Sequence, residues 1–168
     1  MLNWLFRRDD SKRKAADLYG AVVALARRPA LYEGIGIADT PEGRYEALVL
    51  YLFLVLERMK VEGAQANLQS QALLEAFVTD MDDNMREMGV GDLSVPRKVK
   101  KAAAAFYDRA DVYRAAIASG PEDLAVQLGR LVPARAGQDL DASALARDVL
   151  EQVERLAGIP LDTIVDGR

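Results

Sequence analysis

The sequence contains no cysteine and no histidine among its 168 residues. The missing cysteines exclude disulfide bonds and thiol nucleophiles, and the missing histidines exclude a Ser-His-Asp triad. Zinc sites with the usual ligands and histidine-ligated haem are excluded by the same two absences. Much of ordinary enzymology is thereby excluded, and we expect a protein with no catalytic residue, no metal site and no cofactor.

Long apolar runs are also scarce. The run Ala47–Leu56 has ten residues without a charge, whereas a helix that crosses a bilayer needs about 20. A run of half that length, flanked by Glu46 and Glu57, is typical of a helix buried at the centre of a bundle. We predict a central helix over residues 45–59, with Leu50, Leu52, Phe53 and Val55 buried.

Strand patterns are rare along the whole chain, and apolar residues instead recur every three or four positions. Glycine and proline separate these amphipathic segments. The sequence therefore predicts an all-α, single-domain bundle of about six to seven helices over residues 10–168, preceded by a short segment over residues 1–9. Besides the central helix, we predict helices over residues 10–28, 67–88 and 97–118, a further one after Ser119–Asp123, and a last one capped by Asp141 or Ser143.

Charge is concentrated in Phe77–Tyr113, although the whole chain carries only −4, from 26 acidic and 22 basic residues. The first helix of this stretch is acidic and the start of the next is basic, with Gly89 predicted as a left-handed cap between them. Cations in a first helical turn oppose the helix dipole, which indicates that they serve something outside the helix. The basic residues are Arg97, Lys98, Lys100 and Lys101.

Two chemical roles of this stretch are alternatives to a protein-binding surface. The cluster Asp80–Asp83 resembles the aspartate-rich motifs that hold magnesium and diphosphate, which would make the protein a metal-dependent helical enzyme acting on a diphosphate. Such a site needs further carboxylates or lysines from another helix, and no second acidic cluster is present. The basic residues form a short patch for RNA phosphates, without clustered aromatic residues that stack on bases.

Methionine is frequent on the acidic helix, at Met81, Met85 and Met88. With Leu74 and Phe77, these residues form one apolar stripe at helical spacing. Such a stripe is more often core, but methionine side chains also adapt to varied apolar partners. Both interpretations remain open at the level of the sequence.

The N-terminal segment combines apolar and basic residues in an order unlike a secretion signal, because the charges follow the apolar run. Aromatic rings favour the interface of a membrane, and arginines attract anionic lipid. A loose terminus or a clasp on the core is the simpler interpretation. The candidate membrane-contact residues are Trp4, Leu5, Phe6, Arg7 and Arg8.

Four blocks of sequence together resemble the ubiquinol–cytochrome c chaperone family. The blocks are Arg27–Tyr32, Asp39–Glu46, Asp80–Asp82 leading to Arg86–Asp92, and Val95 with Lys98–Lys101. Their order and spacing carry the resemblance, which covers roughly residues 11 to 118.

The resemblance implies a helical, non-enzymatic assembly factor that binds newly made cytochrome b and helps to build respiratory complex III. Mitochondrial members associate with the ribosome and a small partner protein, so the resemblance implies these as further partners. Because no mitochondrial targeting extension is present, we expect a bacterial member. We expect it in the cytoplasm, peripheral on the cytoplasmic face of the inner membrane, with weak membrane-surface contact and no binding to DNA.

The expected partner-binding surface consists of charged residues in the resembling blocks, since a packed core does not require charge at these positions. Arg44 and Arg86 are also the best candidates for salt bridges inside the domain, because an arginine fork ties a loop to a neighbouring helix. The partner-binding candidates are Arg44, Asp82, Arg86, Glu87, Asp92, Lys98 and Lys101.

Overall fold

The computed structural model describes residues 3–60, 63–89, 91 and 94–165, without the side chains of residues 3–9, 63–65 and 165. In these ranges the chain forms seven α-helices and one π-helical turn, and its strand-like pairing is limited to an isolated antiparallel bridge between Ile37 and Ala134. The predicted all-α fold class is confirmed. The elements are α1 (Asn3–Ala26), the π-helical turn (Ala30–Gly34), α2 (Pro41–Lys60), α3 (Gly63–Glu87), α4 (Val95–Ser119), α5 (Pro121–Leu131), α6 (Ala142–Gly158) and α7 (Leu161–Val165).

The uncharged run lies in the middle of α2, and all ten of its side chains are buried. Leu50 and Leu52 are 0% exposed, and Phe53 and Val55 are 1% and 4% exposed, which confirms the predicted central helix. Full burial of an aliphatic or aromatic side chain stabilises a fold by roughly 1.5–3 kcal/mol. The burial of ten consecutive side chains makes α2 a major contributor to the stability of the fold.

The start of α2 is fixed by the residues before it. The Thr40 hydroxyl accepts a hydrogen bond from the Gly43 backbone N–H at 3.2 Å, and Pro41 occupies the first helical position. A side chain at Gly43 would put its Cβ 1.9 Å from the Ala38 carbonyl oxygen, so only glycine fits there. Thr40 and Pro41 thus fix the first turn of α2.

Contacts along the chain divide it into two compact units. The first unit is formed by the described residues of 1–20, 59–108 and 160–168, and the second by residues 21–58 and 109–159. In the first unit, the Phe77 and Phe106 rings pack with centroids 5.9 Å apart, and the Tyr19 hydroxyl donates to Asp80 at 2.7 Å. The predicted division into residues 1–9 and 10–168 stays a prediction.

The second unit is held by polar ties between distant parts of the chain. The Tyr51 hydroxyl donates to Asp148 Oδ2 at 2.5 Å, and Arg28 donates to both oxygens of Asp148 at 3.0 and 2.7 Å. Backbone hydrogen bonds also join the segment after the π-helical turn to the loop before α6, from Ala38 N to the Pro133 carbonyl and from Arg135 N to the Gly36 carbonyl, each at 2.9 Å. These ties position α6 beside α2.

A buried ion pair in the second unit joins α2 to α4. Arg109 donates to both carboxylate oxygens of Glu46, at 3.0 and 2.8 Å, and only 7% of the Glu46 side chain is exposed. The hydrogen bond from the Arg109 guanidinium to Glu46 raises the pKa of Arg109. Desolvation raises the pKa of the nearby Tyr45 to about 12. The carboxylate just before the uncharged run is therefore compensated by one arginine.

Several helix boundaries differ from the sequence expectation. Helix α3 begins at Gly63 instead of 67, and α4 begins at Val95 instead of 97. Helix α1 begins at Asn3, well before residue 10, because no proline or glycine interrupts the polar residues that precede its apolar face. Helix α2 begins at Pro41 instead of 45. Helix α7 lies beyond the last helix that the sequence predicts. The Pro160 ring suits a helix start, and Ile164 in α7 is 3% exposed.

Replacing Arg109 by methionine is expected to lower the free energy of unfolding by about 3 kcal/mol, because the buried Glu46 carboxylate loses its cation. Urea denaturation followed by circular dichroism measures the change.

The matched control is Arg114→Met, which breaks an ion pair with Glu57 whose arginine side chain is 42% exposed. An exposed pair of this kind contributes about 1 kcal/mol or less. Equal losses in the two variants would contradict the structural role of the Glu46–Arg109 pair.

Candidate functional site at the ends of α3 and α4

The end of α3 carries three of the predicted partner-binding residues. Arg86 Nε donates to Asp82 Oδ2 at 2.7 Å, one helical turn away, with 44% and 33% of the two side chains exposed. Glu87 is the last residue of the helix and is exposed. The surface here is charged and accessible, and one of its cations is already paired within its own helix.

A short glycine turn separates α3 from α4. Gly89 has a φ of 75°, and its N–H donates to the Arg86 carbonyl, which confirms the predicted left-handed cap. The Ser94 hydroxyl donates to the Gly91 carbonyl at 2.9 Å instead of accepting from the first N–H groups of α4. The Ser94 backbone carbonyl is the acceptor for the Lys98 N–H. Asp92 lies outside the described residues.

The start of α4 presents cations to solvent. Val95 is fully buried and anchors the first turn, with Pro96 directly after it. Arg97, Lys98, Lys100 and Lys101 are all exposed, and within the described part of the chain none of them is in an ion pair. Their charge opposes the helix dipole without internal compensation. It is therefore available to a partner.

The structure brings five of the predicted residues to the two sides of this turn. They are Asp82, Arg86, Glu87, Lys98 and Lys101, all in the first compact unit. We call these five residues the charged turn surface.

Arg44 is not among them. It belongs to the second unit, where its Nε donates to Asp39 Oδ1 at 2.7 Å. This hydrogen bond holds the pKa of Asp39 below its usual value. Arg44 therefore ties the loop before α2 to the start of that helix, which is the internal role that the sequence left open for it.

Two aspartates of the Asp80–Asp83 cluster form hydrogen bonds with different partners. Asp80 accepts from the Tyr19 hydroxyl and Asp82 accepts from Arg86. Among the residues that the structure describes, no group of three or more acidic side chains is placed to hold a metal ion.

The methionine stripe is only partly core. Phe77 is 1% exposed, whereas Met81 and Met85 are half-buried and Met88 is 62% exposed. The apolar side of α3 thus opens to solvent towards the glycine turn, beside the charged turn surface.

The first turns of α1 contain the candidate membrane-contact residues Trp4, Leu5, Phe6, Arg7 and Arg8. Their side chains are outside the described part of the structure. In the segments that are described, no helix combines the length and the apolar character that crossing a bilayer requires.

A family model described as ubiquinol–cytochrome C chaperone matches residues 33–168. The chain belongs to the ubiquinol–cytochrome c chaperone family. The match confirms the family that the sequence resembles. Its extent differs, because it begins at residue 33, after the block Arg27–Tyr32, and continues through α5, α6 and α7, beyond the expected limit near residue 118.

A solved structure supports the same assignment. The crystal structure of the Cbp3 homolog from Brucella abortus is similar over 99% of this chain and 94% of that chain, with 35% sequence identity and a TM-score of 0.84. Comparison with curated proteins returned no match. The metal-dependent enzyme that was the alternative interpretation of Asp80–Asp83 is not favoured by these findings.

Sequence reasoning missed the arginines of the second unit that stabilise helix contacts, among them Arg58, Arg109 and Arg114. Each bonds to groups at least 57 positions away in the chain. Only Glu46 and Glu57, the two acids that flank the uncharged run, gave a signal, because a charge beside a buried helix needs a partner.

Replacing Gly89 by alanine is expected to destabilise the protein by about 1 kcal/mol, because an L-residue is strained at a φ of 75°. The matched control is Gly91→Ala, since Gly91 has no positive φ and no atom lies within 4 Å of the added Cβ at either position. Thermal unfolding of both variants checks this, and equal melting temperatures would contradict the assigned cap.

Proposed function

We propose that this protein is a non-enzymatic assembly chaperone that binds newly made cytochrome b and stabilises it until the other subunits of complex III join. The observation that carries the proposal is the family match over residues 33–168, together with the helical similarity to the Cbp3 homolog. The charged turn surface is the part of the molecule that we assign to binding.

The chemistry of this surface suits a membrane-protein client. Cytochrome b consists of apolar membrane helices joined by polar loops, so a chaperone outside the bilayer meets charged loops and helix ends. Exposed charge pairs contribute more to the orientation and the rate of association than to affinity. Met88, exposed beside the surface, adds a flexible apolar contact of the kind that accepts varied side chains.

Unpaired lysines contribute more to this binding than paired residues do. Lys98 and Lys101 have no internal carboxylate within the described residues, so they lose no ion pair when they meet a partner. Arg86 must share its guanidinium with Asp82. The lysines therefore provide the cleanest test of the surface.

Reversing charge at Arg86 and Lys98 (R86E/K98E), and separately at Lys98 and Lys101 (K98E/K101E), is expected to lower the amount of assembled complex III in a strain that lacks the native gene. Surface changes usually alter folding stability within about half a kcal/mol, so both variants should fold. Native gels and haem spectra of cytochrome b measure the effect, and circular dichroism checks the fold.

The matched control is R130E/R147E, which reverses two exposed arginines on α5 and α6 in the second unit. This variant should support normal assembly. If folded K98E/K101E also restores normal cytochrome b, the assigned surface is wrong, and if the deletion strain assembles complex III unaided, the function is wrong.

We further propose that the protein is held on the cytoplasmic face of the inner membrane by Trp4, Leu5, Phe6, Arg7 and Arg8. Burying a few such side chains contributes a few kcal/mol, so the attachment is weak and reversible.

Deleting residues 1–8 is expected to lower co-sedimentation with phosphatidylglycerol liposomes at low salt. Arg7→Glu with Arg8→Glu is the variant that keeps the chain length, and phosphatidylcholine liposomes are the control surface. An unchanged bound fraction in both variants rules out this contact.

A further inference from the structure

A small apolar groove lies in the second unit, between the C-terminal parts of α2, α4 and α6. Its volume is about 230 Å³, and its apolar walls are formed by Phe53, Leu54, Ile117, Val153, Leu156 and Ala157. Sites for whole small molecules are usually about 300–1,000 Å³. The groove is therefore suited to one large apolar side chain, the kind of anchor that dominates many protein interfaces.

Two arginines stand at the rim of this groove, and their hydrogen-bonding states differ. Arg114 donates through Nε and Nη2 to Glu57, at 3.0 and 2.8 Å, and through Nη1 to Asp111 at 2.7 Å. Its guanidinium also lies 6.0 Å from the centre of the Phe53 ring. The charge of Arg114 is balanced by two carboxylates and has little capacity for a partner.

Arg58 is different, because its partners are neutral. Its Nε donates to the Leu156 carbonyl at 3.0 Å and its Nη2 to the Ile159 carbonyl at 3.1 Å, at the end of α6. Within the described residues, Arg58 has no carboxylate in ion-pair range, and Nη1 donates to no acceptor. One end of a half-buried guanidinium thus remains open beside an apolar groove.

We propose that this groove binds a helical segment of a protein partner, with one apolar side chain in the groove and a carboxylate on Arg58. The free Nη1 and Nη2 N–H groups form the end of the guanidinium fork, which fits a carboxylate with two parallel hydrogen bonds. On a helix, residues four apart are neighbours about 5–6 Å apart, so a leucine and a glutamate at that spacing reach the groove and its rim together.

The proposed site shares no residue with the charged turn surface and does not rest on the identity of the client. It needs only the groove, Arg58 and a complementary helix. Failure of the cytochrome b assignment would leave it standing, and failure of the peptide experiment below would leave that assignment standing.

The test is a titration of the full-length ¹⁵N-labelled protein with three synthetic alanine/lysine helical peptides, followed by NMR. The first peptide carries one leucine and a glutamate four residues later, the second has glutamine for the glutamate, and the third has alanine for the leucine. The first should shift the amides of residues that line the groove. The second should bind about ten-fold more weakly, since a hydrogen bond to a charged group contributes at least that much.

Two variants locate the binding. Ala157→Trp fills the groove from an exposed position and should abolish the shifts without disturbing the core. Arg58→Gln should remove the preference for the glutamate peptide over the glutamine peptide. Arg147→Gln, an exposed arginine of α6 outside the groove, is the matched control and should retain that preference.

Three results would overturn the proposal: no shifts at the groove, equal binding of the glutamate and glutamine peptides, or full binding to folded Ala157→Trp. Decanoate, which combines an apolar chain with a carboxylate, is the competing probe. If decanoate shifts the groove amides and the leucine–glutamate peptide does not, the site takes a small amphiphile and the proposed helical partner is wrong.

Discussion

The structure depends on the burial of the uncharged run in α2. Ten consecutive side chains must be covered on every side of one helix, so other helices have to pack around it. The acids at its two ends, Glu46 and Glu57, each bond to an arginine of α4, and this pairing sets the position of α4 along α2. Hydrophobic burial thus supplies most of the stability, while the two arginine pairs add specificity to the helix contact.

The arginines that form ion pairs inside the fold differ from the exposed cations at the start of α4. Carboxylates from distant parts of the second unit pair with Arg28, Arg109 and Arg114, and a carboxylate nearby in the sequence pairs with Arg44. The charge of these four arginines is therefore neutralised inside the fold. The cations at the start of α4 have no such partner among the described residues, and they weaken the helix that carries them. Several cations clustered at one helix start, where the helix dipole opposes them, indicate an external role.

Much of the fold could be predicted because helices leave a local signal. The spacing of apolar residues, Pro96 and Pro121 at helix starts, and Gly89 at a helix end were sufficient for most elements. The pairing of Arg28 with Asp148, 120 positions away, was not, since a sequence shows which residues carry charge but not which helices meet. The candidate site could be proposed from the sequence because its charged residues lie close together in the chain. The groove beside Arg58 could not, because it forms only when α2, α4 and α6 pack together.

The backbone pairing between the segment after the π-helical turn and the loop before α6 has a consequence for synthesis. Ile35, Gly36 and Ala38 each make a backbone hydrogen bond with a residue between 133 and 141, so this part of the second unit cannot close until most of the chain has left the ribosome. Until then the apolar surface of α2 has no cover from α6. Non-local closure of this kind slows folding and prolongs the time during which apolar surface is exposed to aggregation.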